Sequence, residues 1–409
     1  MEKKNRPNYI QKLLEFKDKE AIKVITGIRR SGKSSILEVY RKHLLEIGVS
    51  NDNIFYMTFE SLVNRDKTYR QIYDEIISFS KKTIGKVYIF LDEIQQIKQW
   101  ELAVNSLRVD IDCDIYVTGS NAYLLSSQLS TYLSGRYVEI KVLPLSFKEF
   151  LEFNEFDASK SLEEKFSMYI KYGGMPILTE YDFDNENAIF SVLEGIFTTV
   201  VMEDVIKQAS VREPVVLDKI INFLSDNIGN PVSTSKIKNV LASEQENIEK
   251  KNITASTVDN YINLLENAFV FYPIKRYDIK GKEYLKTQEK YYIVDTGLRN
   301  QRLGYRNIDR GFVLENIVYF ELLRRGYKVS IGKIGDKEID FIATKTNEKL
   351  YIQVTETLAG ETTRERELTP LRMVKDHFEK IVLTSDVLFT GTSEDGIKII
   401  NLANWLLEE

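Results

Sequence analysis

The first third of the chain alternates short apolar runs with segments of helical periodicity. The apolar runs have the length of buried strands, and residues 34–47, after the first run, carry apolar side chains at helical spacing. Strands that alternate with helices predict an α/β fold built on a parallel sheet. The predicted strands are residues 21–26, 87–91, 114–118 and 137–142.

The middle of the chain is mainly helical in pattern. Residues 147–210 indicate helices rich in Phe, Tyr and acidic residues, interrupted by a Gly-Gly-Met-Pro turn in which Pro176 begins a helix. Three more periodic helices and two strands follow, in the order of a winged helix whose wing turns at residues 280–282. These segments are helices 217–228, 233–242 and 254–267 and strands 269–277 and 284–294.

The last hundred residues predict another α/β unit. A helix is expected at residues 311–325 and strands at 338–342 and 350–355. The chain is therefore expected to be an α/β multidomain protein. The four predicted domains are residues 1–146, 147–210, 211–294 and 295–409.

A glycine loop separates the first predicted strand from the first predicted helix. It reads GIRRSGKS and matches G-x-x-x-x-G-K-[ST], whose backbone N–H groups surround nucleotide phosphates. Lys33 would reach the β- and γ-phosphates, and the Ser34 hydroxyl would coordinate Mg²⁺. The residues expected to bind the nucleotide are Gly27, Ile28, Arg29, Arg30, Ser31, Gly32, Lys33, Ser34 and Ser35.

Acidic and polar side chains follow the next two predicted strands. Asp92 and Glu93 come directly after a fully apolar run, at the strand end where parallel sheets bind ligands. Asp92 would hold Mg²⁺ through water, and Glu93 would polarise the attacking water. Ser120 or Asn121, after the following strand, could hydrogen-bond the water or the γ-phosphate; a turn that caps a helix is the alternative.

These motifs, in this order, resemble the prokaryotic AAA+ P-loop ATPases. Residues 119–126, 133–137, 144–150 and 172–176 look like a bacterial and archaeal subgroup that pairs the ATPase with a C-terminal domain of unassigned function. The resemblance covers residues 20–355. It implies ATP and Mg²⁺ as ligands, a helical lid after the core, and a homo-oligomer in the ATP state.

The resemblance also assigns two catalytic roles. Asn121 or Ser120 matches the sensor beside the catalytic strand. Arg136 is similar in position to the arginine that such ATPases insert into a neighbouring subunit's site, where a guanidinium contributes about 10³ to 10⁵ in rate. A structural ion pair is the alternative role for Arg136.

Composition excludes several classes of protein. Cys113 is the single cysteine, so the chain has no intrachain disulfide, and His43 and His377 are too few for a zinc set with it. A bound metal would therefore be held by oxygen, as Mg²⁺ or Mn²⁺ is. There is no run of roughly 18 apolar residues and no apolar N-terminal signal core, so we expect a cytoplasmic protein without membrane contact.

The net charge of the chain and its local charge lead to different expectations about nucleic-acid binding. The formal net charge of −5 argues against a chain that coats nucleic acid over its whole surface. Residues 215–276 carry seven Lys and Arg against seven Asp and Glu. The wing and its approach, residues 275–290, carry a local net charge of +3, to which Lys286 and Lys290 contribute. We expect DNA contact through Lys275, Arg276, Lys280 and Lys282; packing or protein binding is the alternative.

The C-terminal unit resembles the restriction-type nuclease core. In that core, a helix glutamate, a strand aspartate and a Glu-x-Lys on the next strand bind metal and activate water. Glu315 and Asp340 match the first two positions, but Gln353 and Thr355 stand where the second carboxylate and the lysine would be. Because a neutral amide binds Mg²⁺ more weakly than a carboxylate, we expect a degenerate centre that does not cleave phosphodiesters.

The leading hypothesis is an ATP-hydrolysing AAA+ protein whose nucleotide cycle moves a winged helix and a nuclease-like domain on DNA. An ATP-dependent nuclease is the first alternative. The second is a switch that binds ATP, turns it over slowly and recruits a protein partner.

Overall fold

The computed structural model describes residues 4–122, 135–207, 211–243, 253–284, 289–306 and 309–408. The chain divides into two compact units. The first comprises Met1–Leu143 with Asn267–Phe269, and the second comprises Pro144–Glu266 with Val270–Glu409.

The first unit contains a parallel five-stranded sheet. Its strands are β1 (Ile22–Thr26), β2 (Ile54–Thr58), β3 (Val87–Asp92), β4 (Cys113–Gly119) and β5 (Tyr137–Lys141), in the order β2-β3-β4-β1-β5. The α/β fold predicted from the sequence is confirmed, and the four predicted strands are present. Strand β2, which lies at one edge of the sheet, was not predicted.

Helices cover both faces of this sheet. The helices of this unit are α1 (Pro7–Glu15), α2 (Lys33–Glu46), α3 (Leu62–Arg65), α4 (Tyr69–Ser80) and α5 (Trp100–Asp110), and α3 has no buried residue. Alternate residues of β3 enter opposite cores: Ile89 packs with α4 and α5 side chains, and Phe90 packs with α1 and α2 side chains. A strand buried on both faces in this way explains the unbroken apolar run at residues 87–91.

The second unit is rich in helices. They are α6 (Phe147–Phe153), α7 (Leu162–Tyr172), α8 (Glu186–Thr199), α9 (Pro214–Asp226), α10 (Thr234–Ser243), α11 (Ala255–Asn267), α12 (Thr296–Leu303), α13 (Arg310–Arg324), α14 (Glu361–Met373) and α15 (Leu402–Trp405). Pro176 begins a short 3₁₀ helix, Pro176–Glu180, as expected for a proline in a first turn. Helix α12 packs against α7, α8 and α9.

A tight backbone junction fixes helix α12. The Asp295 carboxylate accepts hydrogen bonds from the N–H groups of Gly174 at 2.7 Å and Leu298 at 3.1 Å. A Cβ on Gly297 would lie 1.9 Å from the carbonyl oxygen of Tyr172, so only glycine fits there. The Gly-Gly-Met-Pro turn therefore packs against the N-terminal end of α12 and fixes its position.

The second unit has two sheets. The strands are β6 (Pro231–Val232), β7 (Phe271–Ile274), β8 (Arg276–Asp278), β9 (Glu283–Tyr284), β10 (Glu289–Ile293), β11 (Lys328–Ile334), β12 (Lys337–Lys345), β13 (Glu348–Thr355), β14 (Glu379–Thr384), β15 (Gly391–Thr392) and β16 (Lys398–Asn401). One sheet has the order β6-β10-β7, and the other has the order β15-β16-β14-β13-β12-β11-β8-β9.

The hairpin predicted after α11 is divided between these two sheets. Strands β7 and β10 pair antiparallel, with Phe271 opposite Ile293. The outer part of the hairpin, β8 with β9, belongs instead to the eight-stranded sheet, because β8 pairs in parallel with β11. The predicted strand 269–277 is therefore divided between the two sheets. In the predicted strand 284–294, residues 285–288 lie outside the described part of the chain.

Among the residues that the structure describes, no helix is long and apolar enough to cross a membrane.

Candidate functional site

The glycine loop lies between β1 and α2 at the carboxyl edge of the parallel sheet. Gly27 has φ +144°, and a Cβ there would lie 2.1 Å from the carbonyl oxygen of Val142. Gly32 has φ +97° and precedes the first residue of α2. Both positions require glycine, which is the physical reason for the spacing of the motif.

Lys33 is folded back over this loop. Its ammonium donates hydrogen bonds to the carbonyl oxygens of Gly27 at 3.0 Å and Ile28 at 3.2 Å. It also lies 3.7 Å from Oε1 of Glu93. The side chain is buried, so its charge is held inside the site.

Asp92 is the centre of a hydrogen-bond network. Its Oδ1 accepts from the hydroxyls of Ser34 at 3.1 Å and Thr118 at 2.6 Å, and its Oδ2 accepts from Tyr56 at 3.4 Å. Burial raises the pKa of Asp92, although the hydrogen bonds from Thr118 and Ser34 lower it. Ser34 and Asp92 are thus adjacent, as two residues that share one metal ion must be.

Sequence reasoning missed Thr118 and Tyr56. Thr118 also accepts a hydrogen bond from the N–H of Glu93 at 2.8 Å, so one hydroxyl holds both acidic residues. A polar residue at the end of the apolar run 114–118 was the available signal for Thr118. Tyr56 lies on β2, which the pattern did not reveal.

Glu93 turns away from the strand that precedes it. Its φ of +57° is in the left-handed region, which is uncommon for a residue with a Cβ. Its Oε2 accepts hydrogen bonds from the hydroxyl of Ser120 at 3.3 Å and from the amide of Gln95. Of the two sensor candidates, Ser120 is the one whose hydroxyl contacts Glu93. Asn121, the next residue in the chain, is buried.

The remaining predicted residues of the loop differ in exposure. Ser31 is fully buried, and its hydroxyl has no hydrogen-bond partner among the described residues. Arg29 and Ser35 are partly exposed, and Arg30 is exposed. A buried hydroxyl without a partner among the described residues, in the same loop as Lys33, suits a phosphate oxygen, so the residues present fit a nucleotide with its Mg²⁺.

Arg136 is exposed at the start of β5. Its carbonyl oxygen accepts a hydrogen bond from the N–H of Ile22 at 2.9 Å, which ties this backbone to β1. Residues 123–134, where a preceding helix was expected, lie outside the described part of the chain.

A second polar centre lies in the C-terminal part of the chain. The N–H of Asp340 donates to Oε1 of Gln353 at 2.7 Å, and the amide of Gln353 donates to Glu367 at 2.9 Å. Oδ2 of Asp340 accepts from the N–H of Val354 at 2.8 Å. Both ends of Gln353 are therefore used within the protein, and Thr355 is buried on the same strand.

Lys290 fills this centre with a positive charge. It is buried and forms an ion pair with Glu338, and its charge also acts on Glu315 and Asp340. The basic face expected around the wing included Lys290, and that expectation was wrong because the ammonium points into a carboxylate cluster. Arg276, partly buried, lies 3.4 Å from Glu338.

The carboxylates of this centre hold protons unusually well. Burial raises the pKa of Asp340 to about 7 and that of Glu315 well above its ordinary value. The Tyr292 hydroxyl donates to Glu315 at 3.1 Å. Among the described residues, no group of three or more His, Cys, Asp or Glu could hold a metal ion.

The parallel sheet, the glycine loop and the paired acidic residues define a P-loop protein of the AAA+ class. The model of the AAA domain matches residues 19–151, and a domain of unknown function, DUF8612, matches residues 163–309. The second match crosses the domain boundaries expected at residues 210 and 294, so the four-domain division stays a prediction.

The relatives are bacterial and archaeal. The chain is 45% identical over 409 residues to an uncharacterized protein of Haemophilus influenzae, covering 99% of this chain and 98% of that protein. It is 32% identical over 364 residues to the uncharacterized protein MJ1544 of Methanocaldococcus jannaschii, covering 85% and 77%. The chain belongs to the same family as these proteins.

Likeness to a solved structure is weak. The structure of the Aeropyrum pernix ORC1 protein in complex with DNA is 12% identical with a TM-score of 0.33, covering 75% of this chain and 94% of that chain. A likeness at this level carries no argument about function.

Proposed function

We propose that the protein is an ATPase that binds ATP with Mg²⁺ at the glycine loop and hydrolyses it. The observation that supports this proposal is the meeting of Lys33, Ser34, Asp92 and Glu93 at the carboxyl edge of one parallel sheet. Phosphoryl transfer to water requires a basic group that binds phosphate, oxygen ligands that hold a metal, and a carboxylate that activates water. These four residues supply all three.

The binding step uses groups that already face one another. Lys33 exchanges its carbonyl partners, Gly27 and Ile28, for the β- and γ-phosphates. Ser34 and Asp92 hold Mg²⁺, which when bound neutralises charge on the phosphate oxygens. The hydroxyl of Ser31, which has no partner among the described residues, gains an acceptor.

The hydrolytic step then depends on Glu93. Its carboxylate takes a proton from water as the water oxygen bonds to the γ-phosphorus. The bond from that phosphorus to the bridging oxygen breaks, and ADP leaves with the electron pair. Arg136 of a neighbouring subunit offsets the charge that develops on the transferred group.

The test is the release of phosphate by the purified full-length protein under multiple-turnover conditions. We expect Mg²⁺-dependent release that Glu93→Gln reduces to a slow residual rate. Absence of turnover in the parent protein, with tight ATP binding retained, would favour the slow switch that recruits a partner.

We propose further that the protein contacts DNA through the outer strands β8 and β9. Lys275, Lys280 and Lys282 are exposed there, while the nearby Asp278 is engaged by the N–H groups of Lys280 and Gly281 at 3.0 Å. The order of helices α9 to α11 with the sheet β6-β10-β7 supports a winged helix behind these lysines.

The DNA proposal is tested by Lys280→Ala with Lys282→Ala. Affinity should fall equally for all sequences, and the salt dependence should flatten by about one unit for each lost phosphate contact. The ATPase rate should be compared with double-stranded, single-stranded and branched DNA. No measurable DNA affinity at low salt would contradict the proposal and favour a protein partner.

A further inference from the structure

Gln95 lies between the proposed catalytic base and the proposed sensor. It is part of the 3₁₀ helix Ile94–Gln96, which follows directly after Glu93. Its amide nitrogen donates to Oε2 of Glu93 and lies 3.2 Å from the hydroxyl oxygen of Ser120. One amide group thus contacts a residue after β3 and a residue after β4.

The orientation of this amide is fixed by chemistry. A carboxylate can only accept hydrogen bonds, so the nitrogen of Gln95 and not its oxygen must face Glu93. The carbonyl oxygen of Gln95 then points away from Glu93. This oxygen is buried and has no hydrogen-bond partner among the described residues.

A buried acceptor without a donor is a costly arrangement that proteins keep at few positions. A water molecule that reaches this oxygen would supply the missing donor. Water has two protons, and the hydrolysis of ATP requires one of them to be transferred to Glu93. The second proton needs an acceptor that fixes the direction of attack.

We propose that Gln95 is a positioning residue for ATP hydrolysis: its nitrogen orients Glu93, and its carbonyl oxygen accepts a hydrogen bond from the attacking water. The inference rests on the proposed ATPase function. Glu93 removes one proton from the water, Gln95 holds the other O–H, and the new bond forms from the water oxygen to the γ-phosphorus. The bond to the bridging oxygen breaks with its electrons passing to ADP.

The experiment compares Gln95→Ala with Gln96→Ala as a matched control. Gln96 lies in the same short helix and is similarly exposed. We expect Gln95→Ala to lower kcat by about 10²-fold with little change in KM for ATP, as for a misplaced reacting group. Gln96→Ala should keep the parent kcat.

A double-mutant comparison separates positioning from a general structural effect. Because Gln95 acts through Glu93 and the water that Glu93 activates, Gln95→Ala should cost little further rate in a Glu93→Gln background, measured by single-turnover hydrolysis. Gln95→Glu should be as slow as Gln95→Ala, since a second carboxylate replaces the donor. Fluorescent ATP should bind all these proteins equally.

Two results would overturn the inference while leaving the ATPase proposal intact. One is a parent-like kcat in Gln95→Ala. The other is a full additional loss of rate when Gln95→Ala is added to Glu93→Gln. A parent protein that does not turn over ATP would instead remove the proposed function itself.

Discussion

The Lys33 ammonium lies 3.7 Å from Oε1 of Glu93, and both side chains are buried. The phosphates of ATP are expected to compete with Glu93 for this ammonium. Binding of nucleotide and release of Glu93 from its ion pair are then one event. The pair therefore keeps the proposed base occupied when no nucleotide is bound.

Substitutions of Lys33 and Glu93 should impair different steps of the ATPase reaction. Lys33→Ala should abolish tight ATP binding, because no other described residue brings a buried ammonium to the loop. Glu93→Gln should keep ATP binding and lose turnover, because the amide cannot take a proton from water. Equilibrium binding of a fluorescent nucleotide and phosphate release measure the two effects. Equal hydrolysis by Glu93→Gln and the parent protein would remove Glu93 from the mechanism.

Arg136 should act between subunits. If it completes a neighbour's site, ATPase activity per chain should rise with protein concentration. Mixing Arg136→Ala subunits with Glu93→Gln subunits should restore part of the activity, because some sites then have both an intact base and an intact arginine. Activity that is independent of concentration, from a protein that sediments as a monomer, would contradict this role.

Asp295 should make stability depend on pH. Burial raises its pKa from 3.8 to about 6, although the backbone N–H groups of Gly174, Leu298 and Gly297 lower it. Between these values the folded protein binds a proton that the unfolded chain has released, so stability falls as pH rises from 4 to 6. The expected fall is on the order of 2 kcal/mol.

The matching variant is Asp295→Asn, which cannot ionise. Urea unfolding of the parent and the variant at several pH values should show that the fall between pH 4 and 6 is lost in the variant. At pH 4 the variant should be less stable than the parent protein. The carboxyl group accepts hydrogen bonds from Gly174 and Leu298 with its two oxygens, whereas the amide has only one oxygen that can accept. An unchanged pH profile would assign the effect to another group.

Lys290 should act as a built-in cation. Removing it by Lys290→Ala leaves Glu315 and Asp340 without this ammonium, while Glu338 keeps Arg276 at 3.4 Å. Loss of one partner of a buried pair costs about 3 to 5 kcal/mol. The melting temperature of Lys290→Ala should lie below that of the parent protein. Adding Asp340→Asn to Lys290→Ala should recover part of the loss, because one of the carboxylates left without its cation is then removed. Equal melting temperatures of Lys290→Ala and the parent would contradict this role.

The sequence predicts the parts of the molecule that depend on local spacing. Glycine at position 32 is required by its φ of +97° within the loop, and the strand carrying Asp92 is marked by its apolar run. The helix boundaries in the second unit also follow from periodicity and lie within a few residues of the predicted ones. These features involve no partner far along the chain.

The features that were missed depend on distant residues. Lys290 looks like a surface residue, since lysine is seldom buried, and only the meeting of β10 with α13 and β12 shows that it is inside. Thr118 becomes important because β4 lies beside β3. Gln95 could not be selected by its own neighbours in sequence, because its role depends on Ser120, which follows a different strand.

The parallel pairing of β8 with β11 limits how this protein can change during evolution. The C-terminal sheet includes β8, which comes from an earlier segment of the chain, so the sheet cannot be inherited without that segment. Ile331 on β11 would otherwise lose its pairing with Arg276 on β8. The same holds for the carboxylate cluster, which needs Lys290 from β10. Recombination between relatives should therefore keep residues 271–293 with the C-terminal strands as one heritable block.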